Sequence, residues 1–195
     1  MSENLFSPIN LAGHDLKNRL VVAPMCQYSS INGEPSLWHR RHLGTLALSG
    51  AGMLMVESTA VSMTGRISSK DLVLENDNQV NAFSNLLNEI KTFSDIPISL
   101  QISHSGRKGS VNVPWQKNGS FLDQDQCGWE TISASSIARD KGWKKPRQMN
   151  IDDIEQTVND FALTTRRACM AGFQGVEVHM AHGYLLHQFL SPISN

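Results

Sequence analysis

The sequence predicts an α/β protein built on a parallel sheet. Three observations carry this. Short aliphatic runs (Leu20–Ala23, Met53–Val56, Ile98–Ile102, Val176–Val178) alternate with helix-patterned segments along the 195 residues. The connections are long enough for right-handed helical crossovers. Polar residues then gather at or just after each run: Cys26 and Tyr28, Glu57 to Thr59, Gln101 and His104, His179 to Tyr184. Parallel α/β proteins place their chemistry at the C-terminal ends of strands.

The first 24 residues read as an extended pair. Phe6–Leu11 and Asn18–Ala23 flank a polar centre, Gly13-His14-Asp15, which predicts a hairpin. Leu20 to Ala23 is apolar on both faces, as in a buried strand, and Pro24 ends it. Ser36 is placed to cap a helix from Trp38 to about Leu48, stopped by Gly50 and Gly52. His39, Arg40, Arg41 and His42 are assigned to its outer face. Met53 to Val56 starts a strand that continues toward Ala60. Val80, Phe83, Leu86, Leu87 and Ile90 recur at helical spacing and predict a helix over Gln79–Phe93. Ile98–Ile102 follows as a strand. Ser103 to Met149 is predicted irregular, and a connection that long is more often functional than idle. Asn150 caps a third helix, with Asp152 and Asp153 in its first turn and Gly172 at its end. Its inward stripe is read as Ile151, Ile154, Val158, Phe161, Thr165 and Ala168. Val176–Val178 closes the series, and a short helix is expected at Leu185–Leu190.

Composition narrows the function. The net charge of −1 makes no electrostatic case for nucleic acid or an anionic membrane. No apolar run approaches the length of a spanning helix. Met1-Ser2-Glu3-Asn4 lacks the pattern of a signal peptide. Three scattered cysteines suggest neither a disulfide framework nor a zinc knuckle, so a reducing cytoplasm is the expected compartment.

The segment GVEVHMAHGYLLHQFLSP, Gly175 to Pro192, carries the most chemistry. A β-branched run stops at two imidazoles and a phenol. His179 and His182 can donate hydrogen bonds to a developing negative charge, and Tyr184 can hand over a proton. The same two histidines could instead ligate a metal, though no third ligand has convincing spacing. Cys26 taken alone reads as a small buried hydrophobe. Gln101 could satisfy backbone groups, and Tyr28 could be a rim aromatic. Arg107 and Lys108 suit an anion but read more simply as a solvated loop.

Four segments together resemble the Old Yellow Enzyme family: APMCQYSS (Ala23–Ser30), VESTAV (Val56–Val61), LQISHSGRK (Leu100–Lys108) and EVHMAHGYLLHQFLSPISN (Glu177–Asn195). Members are FMN-dependent NAD(P)H:flavin oxidoreductases and ene-reductases built on a TIM barrel. The Cys26–Tyr28 pair resembles the bacterial branch of NADPH dehydrogenases and xenobiotic reductases. The resemblance implies that Ala23, Pro24, Met25 and Cys26 line the flavin, with Cys26 tuning its potential, and that Ala60 and Gln101 contact its ring. It implies that His179 and His182 bind the substrate carbonyl, His179 also lying near the flavin. Tyr184 would protonate the α-carbon and Tyr28 contact substrate. The implied partners are a small enone-type substrate and NADPH or NADH, with a homo-oligomer expected at full length.

A TIM barrel has eight strands and about 250 residues. Four barrel strands are readable here, with a hairpin to cap the barrel floor. Residues 1–195 are therefore expected to be the N-terminal part of a single FMN-binding TIM-barrel domain. The usual phosphate loops, and an arginine expected to meet the flavin, fall beyond it. The alternative is an inactive chain, or an assembly partner, that binds no flavin.

Overall fold

A computed structural model describes residues 4–122 and 127–195. Met1–Glu3, part of the stretch read for a signal peptide, and residues 123–126 of the long connection lie outside the described residues.

The chain opens with an antiparallel hairpin of β1 (Ile9–Leu11) and β2 (His14–Leu16). Ala12 and Gly13 turn it, with φ of 50° and 89°. Two successive positive φ values make the tight turn whose twist suits a hairpin. The returning arm therefore begins at His14, not at Asn18 as the sequence suggested. The following residues are freed to form β3 (Val21–Val22), which pairs in parallel with the next strand.

After β3 come α1 (Leu37–Ala47), β4 (Met53–Ala60), the short β5 (Leu72–Val73), α2 (Asp77–Lys91) and β6 (Ile98–Ser103). The long connection holds β7 (Ile132–Ser133) and β8 (Arg147–Gln148). The chain continues through α3 (Ile151–Ala171), β9 (Gly175–Val178) and α4 (Leu185–Leu190). The main sheet runs β3-β4-β6-β9, all neighbours parallel, with β5 paired to the end of β4. Helices α1, α2 and α3 connect its strands, as crossovers between parallel strands must.

Local chemistry fixes the helix starts. Ser36, Asn76 and Asn150 each accept a hydrogen bond from the first turn. The side chains of His39, Gln79 and Asp153 reach back to the cap backbone. Gly172 ends α3 in the left-handed region, at φ 101°.

The core lies between the sheet and its helices. Leu54, Val56, Ile98, Leu100 and Ile102 pack on Phe83, Leu86, Leu87 and Ile90 of α2 and on Ala168 and Ala171 of α3. Each fully enclosed aliphatic side chain stabilises the fold by about 1.5–3 kcal/mol. Two expectations need correcting. Val21 is half exposed, because β3 is an edge strand covered on one face only. In α3 the buried positions are Thr157, Thr164, Ala168 and Ala171, while Ile151, Val158 and Thr165, all read as inward, are exposed. Thr164 can go inward because its hydroxyl donates to the Leu74 carbonyl at 3.0 Å.

Strand β4 contains an irregularity. Val56 pairs with Leu100 but Thr59 pairs with Ile102, so β4 uses three steps where β6 uses two. One extra residue in one strand is a β-bulge, and these are common beside active sites. The predicted irregular connection is tied down by the parallel pair β7–β8 and by several single turns.

Candidate active site

Every polar cluster anticipated at a strand end lies at the C-terminal edge of the main sheet. His179 follows β9 directly, and its N–H donates to the Ile102 carbonyl at 2.9 Å, prolonging the ladder. The chain then turns sharply. His182 and Gly183 are both left-handed, at φ 54° and 70°. The Tyr184 N–H closes the turn on the Ala181 carbonyl at 3.1 Å. Tyr184 then precedes α4, which docks through the Leu185 N–H on the His104 carbonyl at 2.9 Å.

The turn brings the three rings together. The His179 centroid lies 4.9 Å from His182 and 4.8 Å from Tyr184, and His182 lies 6.4 Å from Tyr184, all edge-on. The Ala181 N–H donates to His179 Nδ1 at 3.1 Å, so the ring proton sits on Nε2. Burial and neighbouring His182 hold the His179 imidazole below its ordinary pKa, which keeps it a neutral donor. Burial, with Cys26 and Tyr28 nearby, pushes the Tyr184 phenol up. It therefore retains its proton at neutral pH.

Cys26 and Tyr28 face this cluster from the loop after β3. Burial first, then Asp71 and Glu57, push the Cys26 thiol up and hold it protonated. Tyr28 is pushed up to about 12, chiefly by burial. Its backbone is left-handed (φ 49°), and its ring meets Trp115 edge-on at 5.8 Å, so the long connection folds back against this loop. Ala23 and Met25 are exposed, and Pro24 is half-buried. Gln101 donates to Glu177 at 2.6 Å across β6 and β9. Ala60 is buried at the end of β4, its carbonyl accepting from the Leu74 N–H at 3.0 Å.

Sequence reasoning missed several supports. His39, assigned to an outer helix face, is only 1% exposed. Its Nδ1 accepts from the Ser36 N–H at 3.0 Å, and its Nε2 donates to Glu57 at 2.8 Å. The other Glu57 oxygen accepts from the Gln27 N–H, fixing the loop that carries Cys26 and Tyr28. Glu57 inside the aliphatic strand MLMVESTA was the available signal, since a buried carboxylate needs partners. Asp71 is buried beside this loop, accepting from Ile67 and Ser68, both at 2.7 Å. Burial pushes its carboxyl up to about 6. Arg107 and Lys108 are also engaged. Arg107 donates to the Ile137 carbonyl at 3.1 Å, and Lys108 Nζ donates to the His182 carbonyl.

Comparison with known proteins identifies the family. Residues 4–195 match the family described as NADH:flavin oxidoreductase / NADH oxidase. This chain belongs to that family. It is 42% identical over 200 residues to an NADH:flavin oxidoreductase of Gibberella zeae, covering 100% of this chain and 48% of that protein. It is 40% identical over 197 residues to an NADPH dehydrogenase of Bacillus pumilus, covering 100% of this chain and 53% of the relative. Among solved structures, morphinone reductase superposes with a TM-score of 0.83 at 24% identity, covering 99% of this chain and 52% of that one. A morphinone reductase variant in complex with tetrahydroNAD gives 0.83 at 25% identity, covering 100% and 54%. The family is the Old Yellow Enzyme-like one anticipated from the four segments, and the fold is a partial barrel. The chain spans about half the length of the curated relatives it matches. Among the described residues no helix is long and apolar enough to cross a membrane.

Proposed function

We propose that this chain carries the flavin face and the proton donor of an FMN-dependent ene-reductase that uses NADPH or NADH and reduces the C=C bond of α,β-unsaturated carbonyl compounds. The observation that supports this most is the packing of His179, His182 and Tyr184 into one cluster at the end of β9.

The donor set fits a flavin. An isoalloxazine has a hydrogen-bonding edge and an apolar edge. Here the His179 Nε2–H, the Gln101 amide and the protonated Cys26 thiol supply hydrogen-bonding groups, and Ala23 and Met25 supply exposed apolar surface. His179, Gln101 and residues 23–26, with Ala60, are the groups proposed to hold FMN. Bound and reduced, FMN supplies the hydride for the β-carbon. His179 and His182 orient the substrate carbonyl and donate to its oxygen as negative charge builds there, in the manner of an oxyanion hole. Each such donor lowers the barrier by about 2–4 kcal/mol. Tyr184, still protonated at neutral pH, delivers a proton to the α-carbon. Tyr28 borders the substrate.

The test is Tyr184→Phe in the flavin-loaded, full-length protein. Enone reduction should slow by about 10²–10⁴-fold while flavin reduction by NADPH changes little. Equal loss in both half-reactions would remove Tyr184 from the donor role. Full-length protein that takes up no FMN on titration would defeat the whole reading.

A further inference from the structure

Gln188 lies in α4, one turn beyond Tyr184, with none of its surface exposed. A primary amide offers two N–H groups and two lone pairs, and all four are used. Nε2 donates to the Gly183 carbonyl at 2.8 Å and to the Ser105 carbonyl at 3.3 Å. Oε1 accepts from the Ser133 hydroxyl at 2.8 Å and from the Arg107 N–H at 3.3 Å. One side chain thus joins the turn of His182 and Tyr184 to the loop after β6 and to β7.

The backbone around it has been shaped to admit the amide. Gly106 is left-handed at φ 58°, and a Cβ there would lie 2.3 Å from Oε1. The Gln188 N–H also donates to the Tyr184 carbonyl at 2.8 Å. The carbonyls of His182, Gly183 and Tyr184 are therefore held, in order, by Lys108, by the Gln188 amide and by the Gln188 N–H. His182 is a non-glycine residue in the left-handed region, a conformation that costs about 1–2 kcal/mol, and these bonds offset that cost and fix the turn.

We propose that Gln188 is a positioning residue for the Tyr184 proton donor and the His182 imidazole, acting through the Gly183 carbonyl. This rests on the ene-reductase reading above. Being wholly enclosed, Gln188 acts on the reaction only through the groups it orients. A catalytic group misplaced by about 1 Å can lose about 10²-fold in rate.

The experiment is Gln188→Met in the flavin-loaded, full-length protein. Methionine keeps the length and apolar bulk but makes none of the four bonds. Both half-reactions are followed by stopped flow, with NADPH as reductant and 2-cyclohexenone as oxidant. Amide exchange over residues 181–188 is read by mass spectrometry. Enone reduction should fall by about 10- to 100-fold, flavin reduction by no more than about threefold, and exchange at the turn should rise. Equal loss in both half-reactions, or no loss, overturns the assignment. If this variant fails to fold, Ser133→Ala decides. Losing one bond to Oε1 should slow enone reduction by about two- to tenfold with flavin reduction unchanged, and an unaltered ratio overturns the assignment. If the unmodified protein binds flavin but reduces no enone, the ene-reductase reading fails. The exchange result then still decides whether Gln188 clamps the turn.

Discussion

On the helix-facing side of the main sheet, Leu54, Val56, Leu100 and Ile102 are completely enclosed by aliphatic and aromatic neighbours. On the other face, beyond Met53 and Met55, the alternating residues differ in kind: Glu57, Ser99, Gln101 and Ser103, and in β9 Glu177 followed by His179, carry hydrogen-bonding groups. One face is held by non-directional burial, where size and shape decide. The other is held through directed bonds, where each group needs a named partner. Strand β6 compresses the contrast into six residues, ISLQIS, because successive side chains of a strand point to opposite faces. Neighbours in sequence should therefore fail in different ways.

Leu100→Ala should have the largest effect. It removes a fully buried side chain and leaves a cavity, costing about 2–5 kcal/mol in denaturant unfolding. A loss under about 1 kcal/mol would break the comparison. Next comes the charge stored behind the polar face. Burial holds the Asp71 carboxyl up at about 6 in the folded protein, against 3.8 for a free side chain. Its stabilising contribution is present below pH 3.8 and is lost as pH rises to about 6, because the unfolded chain releases its proton first. The decline is on the order of 3 kcal/mol and should be absent from Asp71→Asn. A pH–stability profile shared by both proteins would refute this. Gln101→Leu should be the mildest, shifting unfolding by about 0.5 kcal/mol or less while weakening FMN binding roughly three- to tenfold. A large stability loss with unchanged flavin affinity would place Gln101 with Leu100 and erase the contrast.

These faces were unequally legible from the sequence. The four strands, the caps Ser36 and Asn150 and the short helix at 185–190 could be read because propensity, capping and turn chemistry are local. The ring cluster could be read because His179, His182 and Tyr184 lie within six residues. His39 could not, since nothing near it reveals that Glu57 waits 18 positions away. The inward face of α3 was misread by one position, Thr165 for Thr164, because the acceptor that draws Thr164 inward is the distant Leu74 carbonyl. Gln188 drew no notice in the sequence, because its partners Ser105, Arg107 and Ser133 lie 55 or more positions away. Partners far apart in the chain leave no trace in periodicity.

The bulge in β4 has a consequence for parity. Before it, even-numbered residues such as Leu54 and Val56 turn toward the helices. After it, Thr59 sits opposite Ile102 and Ala60 opposite Ser103, so the odd-numbered residues do. Excising one residue from between Val56 and Thr59 would leave two steps against two, so ordinary alternation would keep Thr59 toward the helices and Ala60 on the polar face. Pairing the strand at its present length without the extra residue bulged out would instead rotate Ala60 in among the helices and swing Val61 out of the core. The bulge is thus what lets an eight-residue strand change parity and still bury Val61.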